Sequence, residues 1–107
     1  MRRILKYPLV ITDRQAIEMP ANSLFLSAQM QREQLMLWAI VDSSQPCRQA
    51  TIDIYGTGHP VPEAGDMLLP NGGYSIYIDT VQHLGMVWHV FGACPTVFPR
   101  TVAQRAQ

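Results

Sequence analysis

The stretch Ile54-Tyr55-Gly56-Thr57-Gly58-His59-Pro60-Val61-Pro62 comes closest to a binding site in this sequence. Two glycines within three residues let the backbone reach positive φ, and Pro60 and Pro62 stiffen the chain beyond them. The amides around Thr57 and its hydroxyl make a small anion-binding nest, with Arg48 or Arg32 as counter-charge if the fold brings either near. The candidate ligand-binding residues are therefore Arg48, Tyr55, Gly56, Thr57, Gly58 and His59. In that role Tyr55 offers a stacking face, Thr57 and the Gly58 amide donate to phosphate, and His59 or Arg48 supplies charge. A strand-terminating turn accounts for the same glycines without any ligand.

Other chemistries fail on context. A phosphate loop needs a lysine and a hydroxyl after its glycines and a helix behind them, and Pro60 and Pro62 block that helix. His59, His83 and His89 do not fall at the spacing that builds a metal site on one helix or strand. His89, within Val87-Trp88-His89-Val90-Phe91, reads as a cross-strand packing histidine with one ring nitrogen bonded. No serine lies in a nucleophile elbow. Cys47 and Cys94 belong to no CxxC or Cys/His spacing and are expected as free thiols. No catalytic residue, metal ligand or cofactor is predicted, so binding is favoured over catalysis.

Eight basic side chains balance eight acidic ones. Such a chain has no net field to attract nucleic acid or an anionic membrane at long range, which disfavours generic nucleic-acid binding. No segment reaches the ~20 apolar residues of a membrane helix. The N-terminal residues lack a signal peptide's apolar core. Together these features lead to the expectation of a cytoplasmic protein.

The elements that must position the turn read as strands almost throughout. Arg3 to Ile11 is β-tolerant, with Pro8 arguing for an edge strand or a bulge, and Ala16 to Met19 forms a short return strand. Leu24, Leu26, Ala28 and Met30 share one face of the next strand. Arg32-Glu33-Gln34 is a polar break of hairpin length, and Leu35 to Val41 runs apolar on both faces as the most buried strand. Helix propensity over Gln29 to Val41 competes with this reading, but the preceding period is two and no cap is present. Ala50 to Tyr55 alternates into the Gly-Thr-Gly turn.

A loop rich in proline and glycine runs from Gly56 to Gly73 and carries one apolar triplet, Met67-Leu68-Leu69, which is a candidate protein interface. Tyr74 to Gln82 alternates again, and His83-Leu84-Gly85 suits a tight hairpin into Met86 to Phe91. Trp38 and Trp88 are expected to fill the core. The predicted architecture is all-β: a small antiparallel sandwich or partly open barrel of six to seven strands, spanning residues 1–91, with an irregular C-terminal arm over 92–107. A small β domain of this kind is expected to bury an edge by forming a homo-oligomer.

Four blocks carry a family resemblance: Ile4 to Gln15, Leu37 to Asp42, Ile54 to Pro60 and Val87 to Phe91. Their order and spacing resemble those of a small, functionally uncharacterised protein family of tailed phages and prophages. That resemblance implies a phage or prophage origin and action in the cytoplasm of the infected host bacterium. Three roles are then expected: sequestration of a small nucleotide-type signalling molecule in counter-defence, inhibition of a host defence protein by direct binding, or service as a minor virion or assembly component. The Ala64 to Gly73 insert and the arm after Phe91 depart from the family pattern.

Overall fold

The structure, a computed structural model, describes residues 1–62 and 75–97. Those residues form seven strands: β1 (Arg2–Leu9), β2 (Arg14–Pro20), β3 (Leu24–Gln31), β4 (Gln34–Asp42), β5 (Cys47–Gly56), β6 (Ile76–His83) and β7 (Met86–Ala93). Two antiparallel sheets result, ordered β1-β4-β3 and β2-β5-β7-β6. They pack face to face without closing, as the sequence predicts, and the described residues contain no helix.

Alternation decides the core. Leu35, Leu37, Ala39 and Val41 of β4 are all buried, and Leu35 and Leu37 join Ala50, Ile52 and Ile54 of β5 in one core with Leu9, Met19, Ala28, Val81 and Val90. Each fully buried leucine or isoleucine contributes about 1.5–3 kcal/mol before entropy is counted. The deepest run belongs to β5 rather than β4, because Ile52, Asp53 and Ile54 are buried in succession on an inner strand of the larger sheet. Trp38, out of phase with Leu37 and Ala39, stands half-buried on the outer face instead of filling the core. Trp88 does pack against the core.

Two bulges overturn simple alternation. Register slips between Phe25 and Ser27 in β3 and between Tyr77 and Asp79 in β6. One extra residue reverses the face of everything after it. Phe25 therefore points inward together with Ala28 and Met30, while Leu24 and Leu26 are exposed. The β6 slip sets Thr80 on the same face as Tyr77, and the Tyr77 hydroxyl lies 2.7 Å from Thr80 Oγ1. It also turns Asp79 toward β3, where Oδ2 accepts from the Ala28 amide at 3.2 Å and from Gln29 Nε2 at 2.8 Å. A β6 carboxylate thus covers an edge amide of β3 that a closed barrel would pair with backbone.

Both tight hairpins hold two residues at positive φ, Arg32 and Glu33 between β3 and β4, Leu84 and Gly85 between β6 and β7. This is the twist that two-residue β-hairpins require. Strand β7 runs two residues past the expected end at Phe91. Gly92 and Ala93 are buried in β7, and Asn22 then grips the next segment, its Oδ1 accepting from Val97 N–H and its Nδ2 donating to Val97 O, both at 2.9 Å. The remaining arm, 98–107, lies outside the described residues.

Gly92 sits where Ile52, Ile78 and Phe25 converge, and an added Cβ would fall 2.8–3.1 Å from their terminal carbons. Gly92→Ala is expected to cost about 1–3 kcal/mol through overpacking. Urea denaturation checks this; an unchanged midpoint would mean that the sheets separate there without cost.

Candidate functional site

Strand β5 delivers the site. Its outward phase presents Asp53 and Tyr55 and then runs into the turn, where the Thr57 amide donates to Val87 O and the His59 amide to Gly56 O. Gly58 has a φ of 87°, a conformation other residues rarely take. Gly56 is needed for a different reason. The His59 ring folds back onto it so closely that a Cβ would sit 2.7 Å from Cε1. Nδ1 of His59 accepts from the Gly56 amide at 3.3 Å, which leaves the proton of the neutral ring on Nε2. The ring also meets Trp88 edge-on, 6.5 Å between centroids. His59 thus helps to build the turn as well as bordering the space beside it.

An open cleft of about 600 Å³ lies on the β2 side of Tyr55. Its floor is an ion pair: Arg14 Nε donates to Asp53 Oδ1 at 2.7 Å and Nη2 donates to Oδ2 at 3.2 Å. Asp53 is 4% exposed and Arg14 is 58% exposed, so the pair joins the sheet interior to solvent. Asp53 strengthens the hold of the guanidinium on its proton, chiefly through the hydrogen bond. Asp13 and the Pro60-Val61-Pro62 segment form the walls.

Across Tyr55, a smaller hollow is bordered by Thr57, Tyr77, His89 and Phe91. Phe91 receives Tyr55 and Tyr77 edge to face, each at 5.6 Å. His89 differs from the packing role that the sequence suggests, because both ring nitrogens are engaged: Nε2 with Thr57 Oγ1 at 2.8 Å and Nδ1 with Thr80 Oγ1 at 3.0 Å. With the Tyr77–Thr80 contact this makes a continuous chain of hydroxyl and imidazole groups on the outer sheet face. Among the described residues no three His, Cys, Asp or Glu side chains gather to hold a metal.

Of the sequence-predicted residues, Tyr55, Gly56, Thr57, Gly58 and His59 come together around these two hollows. Arg48 does not join them. It lies at the start of β5, about 26 Å of strand from Gly56, with Nη1 donating to its neighbour's carbonyl. Arg32 occupies a hairpin tip of the other sheet. The guanidinium that reaches the cleft is Arg14, which sequence reasoning missed along with Asp53 and His89. Met67, Leu68 and Leu69 fall outside the described residues.

The family model described as Domain of unknown function (DUF7352) matches residues 1–96. This chain belongs to that family. The match takes in both hollows of the DUF7352 domain and Asn22, which holds the segment beyond β7. No curated protein and no solved structure matches the chain.

Removing Arg14 from the DUF7352 domain strands a buried carboxylate. Arg14→Ala is expected to cost about 1–3 kcal/mol, and adding Asp53→Asn should recover part of it, a coupling that a double-mutant cycle measures. Simple additivity would show that the pair contributes nothing jointly. Burial raises the phenols of Tyr7 and Tyr55, with Asp53 the next cause at Tyr55. The folded state thus favours their neutral forms. The stability they add is complete below the ordinary tyrosine value of 10.0 and is lost as pH rises through the higher folded values. The urea midpoint should fall above about pH 10, and less steeply in Tyr55→Phe.

Proposed function

We propose that this protein binds a small nucleotide-type ligand without turning it over, as a phage or prophage accessory protein that sequesters a signalling molecule in the cytoplasm of the infected bacterium. The observation that carries this reading is the division of roles around Tyr55. An aromatic ring with apolar neighbours flanks a cleft whose floor is fixed by the Arg14–Asp53 pair, and the Gly58 turn opens beside it. Sequestration requires stacking surface and prearranged hydrogen-bonding groups rather than an acid and a base in reach of a reacting atom. The resemblance of four sequence blocks to a tailed-phage family supports the setting.

A second reading, inhibition of a host defence protein, draws on the outer face of the smaller sheet. Ile4, Ile40 and Leu24 lie side by side across β1, β4 and β3, and Ile4 and Leu24 are more than half exposed. Apolar rows of this kind are covered by partners, including further copies of the same chain, so a homo-oligomer belongs to this proposal as well.

Thermal melting against a panel of mono- and cyclic nucleotides tests the first reading. A true ligand at a hundred times its Kd adds about 2.7 kcal/mol, several degrees for a domain of this size, and the gain should shrink in Tyr55→Ala. A flat response across the panel, or conversion of any nucleotide to product, would contradict it. Native mass spectrometry of protein purified from a bacterial host reports subunit number and retained ligand together.

A further inference from the structure

The cleft beside Tyr55 offers two carboxylates, Asp13 and Asp53, against the single guanidinium of Arg14. A phosphate placed there would meet net negative charge, so the anionic end of a nucleotide does not belong in it. The two carboxylates are not equivalent. Both oxygens of Asp53 are occupied by Arg14 Nε and Nη2. Asp13 uses its backbone, whose carbonyl accepts from the Ile54 amide at 3.2 Å, and among the described residues its exposed carboxylate accepts no hydrogen bond. Arg14 Nη1 likewise donates to no described residue, because the Asp53 contacts use the other two nitrogens. Asp13 and Arg14, consecutive in the chain, thus both line the cleft, and each keeps side-chain hydrogen-bonding atoms that no described residue uses.

That combination selects among planar ligands. Guanine carries two adjacent N–H donors, at N1 and N2, that match both oxygens of one carboxylate, with the O6 acceptor next to them for a guanidinium. Adenine and cytosine set an amino donor beside a ring-nitrogen lone pair, which would face a carboxylate oxygen. Uracil flanks its single N–H with two carbonyls. Tyr55 supplies an aromatic surface to the same cleft that Asp13, Arg14 and Asp53 line.

We propose that this cleft takes the guanine base of a nucleotide, the Asp13 carboxylate accepting from N1–H and N2–H, Arg14 Nη1 donating to O6, and Tyr55 lining the ring. The proposal rests on the ligand-binding reading given under Proposed function and makes it specific. The base occupies the β2 side of Tyr55, and the phosphate is left outside the carboxylates, toward the Gly58 amide and the Thr57 hydroxyl.

Calorimetric titration of the full chain with guanosine, inosine and adenosine monophosphates tests it. Inosine lacks only the N2 amine, so it should bind about 10-fold more weakly than guanosine, with adenosine weaker still. Asp13→Asn, at an exposed position, should keep the wild-type melting temperature and bring the guanosine preference close to unity. Equal affinity for guanosine and adenosine monophosphates, or a preference that survives Asp13→Asn, would overturn the guanine assignment while leaving nucleotide binding intact. Absence of binding by all three, with the thermal-melting panel also silent, would remove both.

Discussion

A carboxylate buried on an inner strand of a sheet must be held by a partner, and Asp53 is held by Arg14 through two hydrogen bonds at once. Much of the outer face of the larger sheet depends on that pair. It adds a side-chain link to the β2–β5 ladder, in which Arg14 and Asp53 are register partners. It brings a guanidinium to the foot of the turn and sets it in the cleft beside Tyr55, where β5 itself supplies only a carboxylate. The energy of the pair is modest because Arg14 is largely in water, so its consequence is geometric more than energetic.

The turn above the pair is built to be small and firm. Gly56 admits the folded-back ring of His59, and Gly58 admits a reversal of φ. On the far side, the hydroxyl and imidazole chain from Thr57 through His89 and Thr80 to Tyr77 ties the turn to β7 and β6. Three strands thereby determine where Tyr55 stands. Behind them the two sheets are kept together by apolar burial and by Asp79, which bridges the β6 edge to β3. The groups beside Tyr55 are thus already positioned, which would lower the ordering cost of the proposed binding.

The all-β class, the number of strands and the Gly56–His59 turn were legible in the sequence because each depends on local pattern. Ile52 and Ile54 alternate with Thr51 and Asp53, and Gly85 marks a hairpin. What escaped was nonlocal. Nothing in Leu24-Phe25-Leu26-Ser27 announces that Leu26 will bulge, and the slip reverses which side chains are buried. Arg48 and Arg32 look eligible as charges near the turn until the fold places Arg48 at the opposite end of β5 and register sets Arg14 beside Asp53 instead. Alternation puts Asp53 on the outward phase of β5, so its burial and its pairing with Arg14 appear only once β2 lies in register beside it. His89 gave as little sign, since its two hydroxyl partners come from the turn after β5 and from β6.

The proposed ligand-binding rim of Arg14, Tyr55 and Gly58 is the centre of this account. Amide chemical-shift mapping by two-dimensional NMR during nucleotide titration tests it most directly. Saturable shifts confined to Asp13, Arg14 and the Tyr55–His59 segment are the predicted result. Shifts centred instead on Ile4, Leu24 and Ile40 of the opposite sheet, or none at any concentration, would contradict it.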